Sequence, residues 1–220
     1  MEPTSRKYLF FDLDGTLTDS MPGIARAVQY ALRRFGIDVQ DLATLKPFLG
    51  PPLRDSFMEF YGMSPEEADR AVAVSREYFV PRGMFENELY PGIPELLAAT
   101  AAAGRVNVIA TSKPQPFAER IAAHFGIDRH FRLISGSTFD GRRKTKADVI
   151  RHALSALGIA PGEAVMIGDR RHDVEGAAEE GLPAIAVEWG YAPPGELEAA
   201  RPLRIVPDVE TLRRLLLENE

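Results

Sequence analysis

The feature that most constrains the fold is a regular alternation of short apolar runs with amphipathic segments of helical length. Apolar runs without breakers predict buried strands at residues 8–11, 106–111, 131–135, 164–167 and 184–187, with an edge strand at 203–206. The segments between the later runs end at glycines and predict helices. Apolar strands alternating with helices are typical of a parallel sheet covered on both faces. The predicted fold class is therefore α/β, with a doubly wound parallel sheet.

A block of purely helical patterns interrupts this alternation after the first strand. Within it, Ser64 and Glu67 have the spacing of a capping box, and Pro65 occupies the first position of the helix that they predict. No segment of the block has a convincing strand pattern. We therefore expect an α/β core domain of residues 1–17 and 90–220 and an inserted α-helical domain of residues 18–89.

The composition narrows the class of protein. The chain has 220 residues, of which 45% are hydrophobic and 26% charged, as in ordinary globular proteins. A net charge of −6 argues against a nucleic-acid partner and against an anionic membrane surface. The absence of cysteine excludes disulfides and a cysteine nucleophile. Because no apolar run resembles a secretory signal or a membrane span, we expect a cytoplasmic protein. The expected assembly is a monomer or a homodimer, and the sequence does not distinguish the two.

Two carboxylates, Asp12 and Asp14, lie two residues apart where the first predicted strand meets Gly15. Strand alternation would place both on one face. Two like charges about 4 Å apart repel by roughly 4 kcal/mol at an effective dielectric constant of 20. Such a pair requires a cation, a shared proton or open water nearby. A pair of solvated turn aspartates would also explain the pattern, since Asp-Gly is common in turns.

Further polar residues follow later predicted strands. The strand predicted at 106–111 ends at Thr111, which Ser112 and Lys113 follow. Hydroxyls, backbone N–H groups and a helix N-terminus at such a place can bind an anion. A plain helix cap would give the same pattern. Asp169 and Asp173 stand in the segment GDRRHD directly after the strand at 164–167.

A basic loop at residues 140–146 leads into the helix predicted at 146–157. Most such loops are solvated surfaces. Lys146 opens the helix and is the candidate for balancing negative charge at the strand ends, with Lys144 as the competing residue.

The four motifs in this order resemble the haloacid dehalogenase-like (HAD) hydrolase superfamily. DLDGTLTDS resembles its first motif, Thr111 its second, Lys146 its third and GDRRHD its fourth. The helical insertion after the first motif resembles a HAD cap domain, and the whole most resembles the branch of phosphoglycolate phosphatases. The resemblance implies a Rossmann-like core with a helical cap and hydrolysis of a small-molecule phosphate monoester. The expected substrate is a phosphoglycolate-like compound first and a nucleotide or sugar phosphate second.

The resemblance also implies roles for the residues that match. Asp12 is then the nucleophile that forms an aspartyl-phosphate, and Asp14 the general acid and base. Thr111 and Lys146 would neutralise and position the phosphoryl group. Further candidates for phosphate or substrate binding are Gly15, Ser112 and Arg54.

The metal ligands implied are oxygen atoms, which favours Mg²⁺ over Zn²⁺. They are Asp12, Asp169 and the backbone carbonyl of Asp14, with Asp173 either a direct ligand or an outer partner. His172 is expected to lie outside the ligand set.

Three other classes of protein share part of this pattern. A β-phosphoglucomutase-like phosphotransferase has an arginine three residues after a cap glycine, whereas Leu53 stands three residues after Gly50 here. A receiver-type signalling domain has similar residues but no large helical insertion at this place. An inactive phosphate-binding relative is the third alternative. The segment of residues 50–55 is the expected specificity loop, in which Arg54 would meet an anionic group of the substrate.

Overall fold

The structure is a computed structural model that describes residues 6–217. The strands are β1 (Tyr8–Phe11), β2 (Thr18–Asp19), β3 (Glu88–Leu89), β4 (Val106–Pro114), β5 (Phe131–Ser137), β6 (Ala164–Gly168), β7 (Ala184–Val187) and β8 (Arg204–Val206). The α-helices are α1 (Met21–Arg34), α2 (Leu53–Tyr61), α3 (Pro65–Phe79), α4 (Ile93–Ala102), α5 (Gln115–His124), α6 (Lys146–Leu157), α7 (Arg171–Glu179), α8 (Glu196–Ala200) and α9 (Val209–Leu217).

The chain divides into two compact units. One contains the described residues up to 18 and from 89 on, and the other contains residues 19–88. The chain passes between the units at β2 and β3, which pair with each other in a two-stranded sheet. Within residues 6–217, no helix has both the length and the apolar character needed to cross a membrane.

The first unit is built on a parallel sheet. Over the described residues this sheet has six strands in the order β5-β4-β1-β6-β7-β8, and each neighbouring pair is parallel. Alternate strand residues such as Phe10, Val108 and Met166 pack with α6 and α7 in one buried cluster. Phe11 and Ile109 are equally buried but, by strand alternation, point to the other face. The α/β prediction is confirmed, because both faces of the sheet are covered.

The strand order brings three polar segments to one edge. β4, β1 and β6 are neighbours, and in a parallel sheet their carboxyl ends lie at the same edge. Thr111 lies near the end of β4, Asp12 follows β1, and Asp169 follows β6. The topology alone therefore makes this edge the place where a site can form.

The second unit is helical, with a core shared by α1, α2, α3 and a 3-10 helix at Leu42–Phe48. The predicted capping box is present: the Ser64 hydroxyl accepts from the N–H of Glu67 at 3.2 Å, and the Glu67 carboxylate accepts from the N–H of Ser64 at 2.9 Å. The 3-10 helix was not predicted, because Pro47 lies inside it and its apolar spacing is irregular.

Candidate active site

Asp12 lies at the carboxyl edge of the sheet, because it directly follows the last residue of β1. Its N–H donates to the carbonyl of Ile167 at 2.9 Å, so the sheet pairing fixes its backbone. One carboxylate oxygen, Oδ1, accepts from the N–H of Leu13 at 2.8 Å. The residue is only 9% exposed. The side chain is thus held at the sheet edge in one orientation.

Three carboxylates converge at this edge. Asp12, Asp169 and Asp173 each offer an oxygen atom, and these atoms all lie within 4.8 Å of one another. Asp169 and Asp173 are completely or almost completely buried. Among the described residues, the carboxylate of Asp14 is not part of this cluster. The prediction that its backbone carbonyl binds metal stays a prediction.

Lys146 is the cation of the cluster. Its ammonium lies 2.9 Å from Oδ1 of Asp12 and 2.7 Å from Oδ1 of Asp173, and it donates to the carbonyl of Ala110 at 3.1 Å. Its side chain is 3% exposed, whereas Lys144 is exposed. Of the two candidate lysines, the structure therefore brings Lys146 to Asp12.

Burial and neighbouring charges shift the pKa values of Lys146, Asp169 and Asp173, and burial is the largest single cause for each. Burial lowers the pKa of Lys146, but the charges of Asp12 and Asp173 outweigh it and raise that pKa above its ordinary value. Burial and the neighbouring charges of Asp173 and Asp12 raise the pKa of Asp169. Burial also raises the pKa of Asp173 to about 6, although Lys146 opposes the rise. One lysine therefore does not compensate three buried carboxylates, and the cluster favours a further positive charge.

Asp169 is held in a cradle of backbone and hydroxyl groups. Its Oδ1 accepts from the hydroxyl of Thr16 at 3.1 Å, and its Oδ2 accepts from the N–H of Tyr191 at 2.8 Å. A Cβ at Gly15 would lie 2.2 Å from Oδ2, and a Cβ at Gly190 would lie 2.3 Å from the Cβ of Asp169. Only glycine fits at these two positions, and Gly15 also has a φ of +85°.

Asp14 occupies a different position from the three clustered carboxylates. Its Oδ2 lies 2.7 Å from the ammonium of Lys113, whose side chain is 6% exposed. Its Oδ1 is buried and has no hydrogen-bond partner among residues 6–217. The expectation that strand alternation would place Asp12 and Asp14 on one face does not apply, because β1 ends at Phe11 and Asp14 lies in the turn that follows.

The remaining predicted residues lie in two environments. Thr111 is buried on β4, and its hydroxyl accepts from the N–H of Lys113 at 3.2 Å. Ser112 is exposed. Arg54 lies on α2 in the helical unit, where its Nε is 2.7 Å from Oδ1 of Asp69. The guanidinium that was expected to meet a substrate anion therefore already pairs with a carboxylate of its own unit.

Sequence reasoning missed the residues that support Asp169. Gly190 and Tyr191 follow β7, and Trp189 donates from its indole Nε1 to the carbonyl of Thr16 at 3.1 Å. The sequence carries a signal for them, because a glycine and polar residues stand close to the end of β7, just as they do at the ends of β1 and β6.

Comparisons with known proteins agree with this geometry. Residues 9–187 match the family model of the haloacid dehalogenase-like hydrolases. The chain belongs to this family. A 5'-nucleotidase of Pseudomonas aeruginosa is 48% identical over 94% of this chain and 94% of its own length. The tyrosine-protein kinase PtkA of Mycobacterium tuberculosis is 44% identical over 85% of this chain and 64% of its own length.

A solved structure is similar throughout. The crystal structure of a predicted phosphatase from Clostridium acetobutylicum superposes with a TM-score of 0.93 at 46% identity, covering 98% of this chain and all of the other. The prediction of a HAD-family phosphoric monoester hydrolase is confirmed. The individual residue roles, the domain boundaries and the cytoplasmic location stay predictions.

Proposed function

We propose that the protein hydrolyses a small-molecule phosphate monoester through a phosphorylated Asp12, with Mg²⁺ as cofactor. The observation that carries this proposal is the buried arrangement of Lys146 with Asp12 and Asp173, next to Asp169, at the carboxyl edge of the sheet. A carboxylate at this edge that is fixed by the backbone and partly compensated by a lysine suits a nucleophile. A nucleotide is the first substrate class to test, because the 5'-nucleotidase of Pseudomonas aeruginosa is 48% identical over 94% of this chain. Phosphoglycolate-like compounds and sugar phosphates follow.

The residues present fit a divalent cation. Three carboxylates with oxygen atoms within 4.8 Å of one another carry more negative charge than Lys146 balances, and all the donors are hard oxygen atoms. Asp12 and Asp169 would hold Mg²⁺ with the backbone carbonyl of Asp14, and Asp173 would bind either directly or as an outer partner. When bound, the metal supplies positive charge against the phosphoryl oxygens and the nucleophile.

The protein groups divide the chemistry between them. A carboxylate oxygen of Asp12 attacks phosphorus, and the bond from phosphorus to the leaving oxygen breaks. Asp14 donates a proton to that oxygen and later removes one from the water that attacks the aspartyl-phosphate. Lys146 stabilises the charge on Asp12 and the transferring group, and Thr111 donates a hydrogen bond to a phosphoryl oxygen. Phosphate leaves, and Asp12 is restored.

The helical unit of residues 19–88 is proposed to be the cap that selects the substrate. This is supported by its place in the chain, since it begins directly after the segment that contains Asp12 and Asp14. A cap that closes excludes water and leaves room for a small ester. Arg54 is the proposed anion contact of the cap, and binding there would have to compete with the ion pair to Asp69.

A panel of phosphate esters tests the proposal. Purified protein with Mg²⁺ should release phosphate from nucleoside monophosphates, phosphoglycolate or sugar phosphates, and Asp12→Asn should reduce the turnover number by several orders of magnitude. Circular dichroism of the variant controls for folding. A panel with no turnover, or an Asp12→Asn variant of near-native activity, would contradict the proposal.

Transfer to an acceptor other than water is the second candidate. It is favoured by the relative named a tyrosine-protein kinase and was also the alternative left by the sequence. The same panel separates the two, because hydrolysis releases one phosphate for each ester consumed, whereas transfer consumes ester without an equal release of phosphate.

A further inference from the structure

We infer that Lys113 is a positioning residue that holds the carboxylate of Asp14 for proton transfer. This inference rests on the proposed function, in which Asp14 is the general acid and base. Sequence reasoning had placed Lys113 with Thr111 and Ser112 as a support of the phosphate site. The geometry gives it a different task, because its ammonium lies against Asp14.

The first support is the ion pair itself. Nζ of Lys113 lies 2.7 Å from Oδ2 of Asp14, and the two side chains are only 6% and 18% exposed. A charged pair at this distance and burial has a much narrower range of geometries than a pair on the surface. The second lysine of the site, Lys146, lies against Asp12 and Asp173 instead. The two lysines thus form ion pairs with different carboxylates.

The second support is the backbone beneath Lys113. Its N–H donates to the hydroxyl of Thr111 at 3.2 Å. From the other side, a Cβ at Gly136 would lie 2.7 Å from the carbonyl oxygen of Lys113 and 2.6 Å from the Cα of Gln115. The end of β5 therefore packs directly on the end of β4, which carries Lys113. A lysine on a fixed backbone can hold its partner in one place.

The third support is the second carboxylate oxygen of Asp14, Oδ1. Oδ2 accepts from Lys113, while Oδ1 is buried and has no hydrogen-bond partner within residues 6–217. A buried oxygen without a partner is unfavourable by about 1–3 kcal/mol, so a group from a ligand or water is expected to satisfy it. By occupying Oδ2, Lys113 leaves Oδ1 to face the leaving oxygen and, in the second step, the attacking water.

A double-mutant cycle tests this inference. Lys113→Met should lower kcat by about 10- to 100-fold, the loss expected when a catalytic group is misplaced by about 1 Å, and should change KM little. The loss should be larger on an alkyl phosphate than on p-nitrophenyl phosphate, whose leaving oxygen hardly needs a proton. In a protein that already carries Asp14→Asn, adding Lys113→Met should cause almost no further loss, since the residue acts through Asp14.

The controls address folding and charge. Lys113→Arg keeps a cation beside Asp14 and should recover part of the lost kcat. Lys144→Met removes an exposed lysine of a neighbouring loop and should leave kcat unchanged. Circular dichroism and thermal melts show whether each variant is folded. If Lys113→Met does not fold, Lys113→Gln and Lys113→Arg replace it in the cycle.

Three outcomes would overturn the inference. Lys113→Met could lower kcat by the same factor with and without Asp14→Asn, or it could raise KM and leave kcat unchanged; either result would place Lys113 on the phosphate itself. Equal losses on both leaving groups would also exclude action through Asp14. An Asp14→Asn protein with native turnover would instead show that the proposed role of Asp14 is wrong, whatever Lys113 does.

Discussion

Replacing Gly190 by alanine should damage the site although no titratable residue is replaced. A Cβ at this position would lie 2.3 Å from the Cβ of Asp169 and 2.4 Å from its Oδ2. Carbon atoms in ordinary contact are about 3.5–4.0 Å apart, so one of the two residues has to move by about 1 Å. Because the φ of Gly190 is not in the left-handed region, the effect is steric and not conformational.

The expected magnitude follows from this displacement. Overpacking of a buried position typically costs about 1–3 kcal/mol. In a chain of this size each kcal/mol lowers Tm by about 2–4 °C, so Tm should fall by roughly 2–12 °C. Ligand distances in metal sites tolerate only about 0.2 Å, so the movement of Asp169 should weaken Mg²⁺ binding by about 10- to 100-fold. Phosphatase turnover at limiting Mg²⁺ should fall in parallel.

The assay combines a thermal melt, a calorimetric Mg²⁺ titration and phosphate release as a function of Mg²⁺ concentration. Gly162→Ala is a matched control, because within the described part of the chain a Cβ there would meet only Arg6, at an ordinary 3.4 Å. That variant should resemble the native protein in all three measurements. Native Mg²⁺ affinity and turnover in Gly190→Ala would refute the reasoning that Asp169 is a metal ligand held by close packing.

Three further predictions concern Lys146, His152 and the divalent cation. Lys146→Met should lower the free energy of unfolding, measured in urea, by about 3–5 kcal/mol, because it leaves buried carboxylates uncompensated, whereas Lys144→Met should change it by less than about 0.5 kcal/mol. Burial, and then the charge of Arg143, lower the pKa of His152, so its NMR titration midpoint should lie below the ordinary 6.5. The imidazole of His152 therefore binds a proton more tightly in the unfolded chain than in the folded protein. The stability that neutral His152 contributes above pH 6.5 is lost as the pH falls through its folded pKa. His152→Gln should make the free energy of unfolding less dependent on pH below 6.5. Removal of divalent cations by EDTA should abolish phosphate release and added Mg²⁺ should restore it; full activity in metal-free protein would contradict the assigned site.

The parallel sheet and its active edge could be predicted because both depend on local signals. Apolar runs fixed β1, β6 and β7, and the ends of parallel strands meet at one edge. The approach of Asp12, Lys146 and Asp169 follows from that rule together with a helix that begins at residue 146. Whether Asp173 is a direct ligand does not follow, because the direction of a side chain on α7 depends on packing.

Other features depend on contacts that no local pattern encodes. The pairing of Lys113 with Asp14 joins the end of β4 to the turn after β1, about a hundred residues apart along the chain, and no regular repeat links the two segments. The pairing of Arg54 with Asp69 likewise depends on how α2 packs against α3. The short helix α8 has five residues, too few for a hydrophobic period to be recognised. Long-range side-chain pairs are therefore what the structure adds to the sequence.

Direct detection of a phosphorylated Asp12 tests the central claim most directly. The protein would be mixed with a nucleoside monophosphate labelled in its phosphate and with Mg²⁺, quenched in acid within the first turnover, and digested for mass spectrometry. Treatment of a parallel sample with borohydride should convert an acyl phosphate at Asp12 to homoserine. We predict label and homoserine on the peptide that contains Asp12, and neither in Asp12→Asn. Rapid hydrolysis of the ester with no label on that peptide, or label on another residue, would contradict the account.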